Sequence, residues 1–295
     1  MSEKQKKRNS LPKMDLHMHT TVSDGTDTPE ELLAHIREAE ITLFAVTDHD
    51  AVKGCCMLGR ALRENDPQML TGVEFSCQDE EGKYHILGYD YDPDKQPILQ
   101  IVEAGHRFRM KKLMKRLDFL RTAFGFDFPQ EDIDWLMSLD NPGKPHLAIL
   151  MVKHGYAETK EQAFAAYLNL ARSRSEYVRP VDAIRGILQS GGIPVLAHPA
   201  FGSGDELIVG EEMERRLRRL TGFGLQGVEA FYSGFSPRLR AETLSFAEQY
   251  DLYVTAGSDY HGKNKLVALG DTELDQAESI PDGLWHFLER VGQKR

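Results

Sequence analysis

The stretch of residues 13–50, KMDLHMHTTVSDGTDTPEELLAHIREAEITLFAVTDHD, decides the fold. Residues 13–19 are typical of a short strand, and the apolar run at 43–46 is typical of a buried parallel strand. Between them Thr28 is suited to cap a helix, since Pro29 fits its first position and Glu31 completes a capping box. This stretch therefore predicts a strand–helix–strand unit of the α/β class.

The same pattern recurs along the chain. Further apolar runs, mostly separated by helical patterns, occupy residues 69–75, 84–87, 193–197, 227–231 and 252–256. Several of them end in a polar residue capable of chemistry, as do the catalytic strands of β/α barrels. We predict a closed or nearly closed β/α barrel, and an open doubly wound sheet is the alternative.

The pattern changes between residues 96 and 177. Four helical stretches follow one another there without a strand, at 98–124, 131–139, 146–154 and 159–171. We predict a flexible basic tail over 1–13, a barrel made of 14–95 and 178–295, and a helical insertion over 96–177 that caps the site.

Two charged stretches are interpreted as helices. The run 107–116 is expected to be amphipathic, with Phe108, Leu113 and Leu117 inward, rather than a nucleic-acid patch. The run 211–219 is expected to be a solvated helix face.

Composition excludes several classes of protein. The net charge of −10, from 46 acidic and 36 basic residues, argues against stable binding to duplex DNA through broad phosphate neutralisation. No apolar run approaches the roughly 18 residues of a membrane span. The three cysteines, Cys55, Cys56 and Cys77, are expected to be reduced thiols in a cytoplasmic protein without a secretory signal.

Ligand-type residues gather at the ends of the predicted strands. His17 and His19 are two positions apart, so that on a strand both side chains face the same way, and Asp259 and His261 repeat this spacing. Four more residues of the same types lie near other strand ends: His49, Glu74, His85 and His198. For each residue alone, a partly buried structural role is the simpler interpretation, but the set as a whole indicates a metal site.

The motifs resemble those of the PHP (polymerase and histidinol phosphatase) superfamily, in order, from about residue 14 to 265. They are His17-x-His19 with Asp24, Thr47-Asp48-His49, Gly72-x-Glu74, His85-x-Leu87-Gly88, Ala197-His198-Pro199 and Ser258-Asp259-x-His261-Gly262. The resemblance implies a distorted (β/α)7 barrel that uses three divalent metal ions to hydrolyse phosphoesters. Residues 145–148 and 176–178 of the insertion resemble the subfamily of nucleoside 3′,5′-bisphosphate phosphatases and 5′-to-3′ exonucleases.

The resemblance also implies a distribution of ligands in a trinuclear metal centre. One ion would be held by His17, His19, Glu74 and Asp259, and a second by Asp24, His49 and His261. Glu74 would bridge to a third ion completed by His85 and His198. Imidazole and carboxylate ligands without thiolate suit manganese, iron or zinc, and the sequence does not choose among them.

The expected mechanism uses a metal-bound hydroxide as nucleophile. Glu74, His198 and Asp48 are the expected catalytic residues, with Asp48 orienting an imidazole. The proton for the leaving oxygen would come from His198, from His261 or from a metal-bound water.

Substrate contacts are expected from the insertion and its edge. Lys144, His146 and Arg179 are the candidate residues, and Arg172 and Arg174 are further cations of the same region. A nucleotide or a short RNA end is the expected substrate. The alternatives are a histidinol-phosphate-type or other small-molecule phosphatase and a metal-binding regulatory domain without catalysis. The oligomeric state is not predicted.

Overall fold

The computed structural model describes residues 11–171, 176–203, 206–277 and 279–292. Across these residues the chain forms seven strands that lie in one sheet in chain order. They are β1 (Met14–Asp15), β2 (Leu43–Val46), β3 (Gln68–Asp79), β4 (Gly82–Tyr89), β5 (Ile193–Leu196), β6 (Gly227–Tyr232) and β7 (Tyr253–Gly257).

Six of the strands run in one direction, and β4 is antiparallel to both of its neighbours. The first and last strands approach each other, because the amide of Leu16 donates to the carbonyl of Ala256 at 3.0 Å and that of His19 to the carbonyl of Tyr260 at 2.9 Å. The sheet is therefore a nearly closed, distorted barrel, as predicted, and not an open doubly wound sheet.

The described residues also form ten α-helices. They are α1 (Pro29–Glu38), α2 (Lys53–Ala61), α3 (Gln96–Phe124), α4 (Gln130–Ser138), α5 (Lys144–Lys153), α6 (Lys160–Ala163), α7 (Pro180–Gln189), α8 (Gly210–Phe223), α9 (Pro237–Gln249) and α10 (Asp282–Gly292). A π-helical turn, Phe164–Leu168, continues α6, and a 3₁₀ turn, Gly262–Asn264, follows β7. None of the helices in the described ranges is long and apolar enough to cross a membrane.

Helix α1 forms for the reason that its sequence suggests. The Thr28 hydroxyl accepts from the amide of Glu31, whose side chain accepts from the amide of Thr28 in return, so that two amides at the helix end are satisfied. The run 211–219, which was expected to be a solvated helix face, lies in helix α8 and is not fully solvated. Arg216 is buried and ion-paired with Glu206 and Glu212, and its guanidinium lies over the ring of Tyr84, 5.3 Å from the centroid.

The barrel and the insertion have separate apolar cores. Ile98, near the start of α3, belongs to the barrel core, whereas Leu113 and Leu117 belong to the core of the insertion. Phe108 packs against the barrel, so the three residues that were predicted to face inward do so against two different cores. Helix α3 therefore continues from the barrel into the insertion.

Candidate metal centre

The predicted ligands converge at one rim of the barrel. They come from the chain after β1 (His17, His19 and Asp24), after β2 (His49), within β3 (Glu74), within β4 (His85), after β5 (His198) and after β7 (Asp259 and His261). Because β4 is antiparallel, its first half lies at the rim where the other strands end. This reversal explains how His85 reaches the cluster from inside a strand.

Glu74 lies at the centre of the cluster. One carboxylate oxygen or the other lies within 3.3 Å of five imidazoles: Oε2 is 3.3 Å from His17 Nε2, 3.3 Å from His19 Nε2 and 2.9 Å from His49 Nδ1, and Oε1 is 2.8 Å from His85 Nδ1 and 3.2 Å from His198 Nε2. Burial would raise the pKa of Glu74, but the imidazoles of His49 and His85 hold it well below its usual value. The carboxylate would thus be available, together with these imidazoles, as a ligand of a divalent ion.

Two other carboxylates complete the cluster. Asp259 Oδ1 lies 3.4–3.5 Å from nitrogens of His17, His19 and His261. Asp24 Oδ1 lies 3.3 Å from His261 Nε2, and its Oδ2 lies 3.9 Å from His49 Nε2. Three groups of ligand atoms are close enough to hold an ion: His19, Asp24, His49 and His261; His17, His19 and Asp259; and His49, Glu74 and His85.

The donor set fits divalent ions for a further reason. Seven of these side chains carry a buried nitrogen or oxygen that, despite the short distances above, forms no hydrogen bond within the described parts of the chain. The atoms are His17 Nε2, His19 Nε2, Asp24 Oδ1, His49 Nδ1, Glu74 Oε2, His85 Nδ1 and His198 Nδ1. Unpartnered buried polar atoms are costly, so their convergence on one volume is the arrangement that bound ions would satisfy.

The backbone at two of the ligands is strained. His198 has φ of 26° and Asp259 has φ of 58°, a region that costs a non-glycine residue about 1–3 kcal/mol. The amide of His198 donates to Glu229 Oε2 at 2.9 Å, and the amide of Asp259 donates to the carbonyl of His17 at 2.8 Å. These hydrogen bonds hold the two turns that point the ligands into the cluster.

Glu229 is a supporting residue that the sequence interpretation missed. It is fully buried in β6, where a shift in register against β7 turns its side chain toward the rim. Its Oε1 contacts His17 Nδ1 at 2.9 Å, so that Nε2 of the same ring is directed at Glu74. A carboxylate inside the apolar run at 227–232 was the signal that could have revealed it.

Asp48 does not orient an imidazole directly, contrary to the prediction. Its Oδ1 accepts from the amide of Thr20 at 2.8 Å and from the hydroxyl of Ser23 at 2.6 Å. Ser23 Oγ lies 3.4 Å from His19 Nδ1. The carboxylate therefore reaches the cluster only through Ser23, because its main partners are polar groups of the loop after β1.

A cationic cavity of about 970 Å³ opens beside the cluster. Its lining includes the ligands Asp24, His49 and His85, and five cations: Lys83, Arg109, Lys112, Arg116 and Lys144. Burial and the neighbouring Arg116 lower the pKa of Lys112 to about 7, and burial lowers that of Arg116 to about 10. The run 107–116 is helical, as expected, and three of its cations, Arg109, Lys112 and Arg116, line this cavity, which the sequence interpretation did not anticipate.

The predicted substrate residues have different surroundings. Lys144 lines the cationic cavity and donates to Asn169 at 2.7 Å. His146 Nδ1 accepts from the amide of Gly143 at 3.1 Å, which gives this ring a role at the start of α5. Arg172 and Arg174 lie outside the described residues.

Arg179 is not among the residues that line the cationic cavity, and its contact with substrate stays a prediction. Its guanidinium forms a bidentate ion pair with Asp182, with the shorter distance 2.6 Å, and it lines a different cavity together with Arg185. The pairing follows from its position before α7, where Asp182 lies three residues further on.

A second cavity, of about 720 Å³, also meets the cluster. We call it the lysine–aromatic cavity, because beside seven of the ligands it is lined by Lys160, Lys263, Lys265, Phe164, Phe201 and Tyr232. The ammonium of Lys265 contacts Asp259 Oδ2 and lies 3.0 Å from the hydroxyl of Tyr232. Lys265 and Tyr232 therefore both contact Oδ2 of Asp259, whereas its Oδ1 faces the imidazoles. The sequence interpretation missed both residues.

The family model of the PHP domain matches residues 15–175 of this chain. The chain belongs to the PHP domain family. This membership confirms the resemblance and the barrel type. The side chains of the cluster are those of the motifs that resemble this family in the sequence.

Three curated relatives are similar over nearly their whole length. A 5′-3′ exoribonuclease of Haemophilus influenzae is 27% identical, with 91% of this chain and 96% of the relative covered. A phosphoribosyl 1,2-cyclic phosphate 1,2-diphosphodiesterase of Eggerthella lenta is 30% identical, with 84% and 94% covered. A 3′,5′-nucleoside bisphosphate phosphatase of Chromobacterium violaceum is 26% identical, with 95% and 97% covered.

A solved structure has the same fold. A protein of Bifidobacterium adolescentis assigned as a metal-dependent phosphoesterase superposes with a TM-score of 0.79 at 28% identity. The match covers 94% of this chain and 96% of that protein.

Proposed function

We propose that this PHP-family phosphoesterase hydrolyses the ester next to a terminally phosphorylated nucleotide, in a nucleoside 3′,5′-bisphosphate or at the 5′ end of a short RNA. One observation carries the proposal: the cationic cavity opens directly beside the ligand cluster. A phosphate held there would place a second phosphate of the same molecule over the ligands. Such positioning supplies several kcal/mol of catalysis in enzymes generally.

The nine ligands would hold up to three divalent ions, of manganese, iron or zinc. When bound, the ions would lower the pKa of a water molecule and neutralise charge on the phosphoryl oxygens. The protein's own part is to fix the ligands. Glu229 orients His17, Ser23 connects Asp48 to His19, and Lys265 with Tyr232 positions Asp259.

The cations of the cavity would bind the phosphate that does not react. Lys112 and Arg116 are the partly buried members, so water screens their charges less than those of exposed residues. Arg109 is already paired with Asp50 through Nη2, and the same nitrogen donates to Ser76 Oγ at 3.2 Å. We therefore assign the main phosphate contact to Lys112 and Arg116, with Lys144 at the cavity edge.

The relatives favour substrates of this kind. Their names describe enzymes acting on RNA, on a nucleoside bisphosphate and on a phosphoribosyl cyclic phosphate. Phosphoribosyl 1,2-cyclic phosphate is a second candidate substrate, since it too carries a phosphate apart from the reacting one. The relative named for this compound is 30% identical to this chain. The chain would bind it through the same cavity.

A substrate panel tests the proposal. Metal-depleted protein is reloaded with manganese, iron or zinc and assayed with adenosine 3′,5′-bisphosphate, a 5′-phosphorylated RNA, phosphoribosyl 1,2-cyclic phosphate, histidinol phosphate and p-nitrophenyl phosphate. We expect the highest kcat/KM for a nucleotide substrate, and none without added metal. Histidinol phosphate or another non-nucleotide monoester as the best substrate would refute the nucleotide assignment.

Elemental analysis of the active protein measures the number of ions. About three per chain is expected, because the ligand atoms form three overlapping groups. One ion or fewer in fully active protein would refute the trinuclear proposal.

A further inference from the structure

The insertion contacts the barrel next to one of the candidate metal ligands. His49 lies in the chain segment that follows β2, and Asp50 comes directly after it. Two residues of the insertion bind this segment: Arg109 from α3, and Asn141 from the loop between α4 and α5. We call Asp50, Arg109 and Asn141 the His49 junction.

We propose that the His49 junction belongs to the metal centre: Arg109 and Asn141 are positioning residues that hold the backbone at His49, so that its imidazole stays among the other ligands. The inference rests on the part of the proposed function that places divalent ions at the cluster, and it does not depend on the substrate. It gives the insertion a role apart from the phosphate contacts assigned to Lys112 and Arg116.

Asn141 binds the backbone of the ligand itself. Its side chain is buried, and Nδ2 donates to the carbonyl of His49. The loop is fixed at the preceding residue, because the carbonyl of Asp140 accepts from His106 Nδ1 at 2.8 Å and the Asp140 carboxylate pairs with Lys53 at 2.6 Å. A donor on a fixed loop restricts the position of the His49 carbonyl, and groups of this kind set the orientation of metal ligands.

Asp50 connects the same segment to α3. Its buried carboxylate accepts from Arg109 Nη2 at 2.5 Å through Oδ2 and from the amide of Ser76 at 2.9 Å through Oδ1. The amide of Asp50 donates to the carbonyl of Glu74 at 2.9 Å, and His49 forms a parallel bridge with Glu74. The ion pair with Arg109 therefore joins α3 to the turn that places His49 beside Glu74.

One glycine shows how closely α3 approaches this turn. Gly105 lies inside the helix, where glycine is less favourable than alanine. A Cβ atom there would lie 3.0 Å from Cβ of Asp50 and 3.1 Å from its Oδ1. The missing side chain therefore lets the helix pass against Asp50, and Arg109, about one turn further on, reaches the carboxylate.

The position of His49 among the ligands makes the inference selective. His49 belongs to two of the three groups of ligand atoms that could hold an ion, and it is absent from the group of His17, His19 and Asp259. Variants of the His49 junction should therefore weaken the ions that use His49 and leave one ion at its wild-type affinity. A general loss of stability would weaken all ions together.

Titration of metal-depleted protein with manganese, followed by calorimetry, tests the inference through two variants. Asp50→Asn removes the charge that pairs with Arg109, keeps an oxygen acceptor for the Ser76 amide, and tolerates the φ of 50° at this position. Asn141→Leu removes the donor at a similar volume. In each variant we expect the affinity for at least one ion per chain to fall about 10- to 100-fold, and one ion to keep its affinity.

Two substitutions at Arg109 separate the ion pair from packing. Arg109→Lys keeps a positive charge beside Asp50 and should lose less metal affinity than Arg109→Met. Arg121→Met is the matched control, since Arg121 lies on the same helix, pairs with exposed Asp118 and lines neither cavity at the cluster. It should bind every ion as the wild-type protein does.

A double variant shows whether different ions depend on different supports. Glu229 contacts His17 and the amide of His198, and neither residue belongs to the group of His19, Asp24, His49 and His261. Glu229→Ala should therefore keep an ion that Asp50→Asn weakens, and Asp50→Asn/Glu229→Ala should keep none at wild-type affinity.

The contradicting results are distinct from those that concern the proposed function. Wild-type affinity for every ion in both Asp50→Asn and Asn141→Leu, or equal weakening of all ions in both, would overturn the inference. Wild-type protein that binds no divalent ion would overturn the proposed function itself. Metal binding with the expected selective losses, but with a non-nucleotide ester as best substrate, would overturn only the nucleotide assignment and support the His49 junction.

Discussion

The barrel rim and the insertion's cationic helix face contribute to one site in different ways. At the rim, short side chains are buried, and hydrogen bonds such as that from His17 to Glu229 fix their orientation. On α3, the long side chains of Lys112 and Arg116 line the cationic cavity, and other residues of the same helix pack into the core of the insertion. Under the proposed function, the rim would perform the chemistry and the insertion would select the substrate.

The largest expected effect is at the centre of the rim. Glu74→Ala removes the carboxylate that contacts five imidazoles, so at least two metal positions should be lost. We expect kcat/KM to fall more than the roughly 10- to 100-fold typical of groups that only orient ligands, and bound metal to fall with it. Asp48→Ala is the comparison, because Asp48 reaches the cluster only through Ser23. Equal losses with metal content preserved in both variants would contradict the central role of Glu74.

A smaller effect is expected one contact further out. Glu229→Ala frees the His17 ring and removes the acceptor of the His198 amide. Metal affinity, measured by chelator competition, should fall about 10- to 100-fold. Glu229→Gln keeps an oxygen acceptor for one of these donors and should lose less. Unchanged metal affinity in Glu229→Ala would show that the ring is held by other contacts.

In the insertion, the expected effect is a dependence of phosphate affinity on pH. The pKa of Lys112 is lowered to about 7, so the residue is charged below that pH and neutral above it. Between pH 6 and 8 its protonated fraction falls from about 0.9 to about 0.1, and affinity for a phosphate should fall up to about tenfold. Calorimetry of adenosine 5′-monophosphate binding to metal-depleted protein measures this.

Lys112→Arg is the control for that pH profile, because arginine stays charged throughout. The titration of the ligand's own phosphate is the same for both proteins and cancels in their ratio. A ratio independent of pH would exclude Lys112 from the phosphate contact.

The smallest effect is expected outside both regions. Arg179 is paired with Asp182 and is not among the residues that line either cavity at the cluster. Arg179→Ala should therefore change kcat/KM for adenosine 3′,5′-bisphosphate less than about twofold, as surface ion pairs contribute little. A loss above tenfold would return Arg179 to the substrate site.

The rim could be predicted from the sequence because its chemistry is local. The spacing of two residues within each pair, His17 with His19 and Asp259 with His261, and their position at a strand end indicated metal ligands. Glu229 and Lys265 act through neighbours distant in the chain, and no spacing relates them to His17 or Asp259. The reversed direction of β4 was not predicted either, since periodicity gives a strand but not its partner's direction.

The cationic cavity was harder to predict because its cations resemble ordinary surface charge. Arg109, Lys112 and Arg116 follow a helical period, which a solvated face also produces. Only the packing of Leu113 and Leu117 into the insertion core turns the other face toward the cavity. Arg179 looked equally suitable in the sequence, but Asp182 neutralises it.

The most direct test of this division between rim and insertion is the ratio of kcat/KM for adenosine 3′,5′-bisphosphate to that for adenosine 3′-monophosphate. In the wild-type protein we expect a ratio of at least about 100, because the 5′-phosphate positions the reacting group. In Lys112→Met/Arg116→Met the ratio should fall below about 10, while hydrolysis of the monophosphate and bound metal stay within about twofold. A wild-type ratio near one, or an equal loss on both substrates in the variant, would contradict the account.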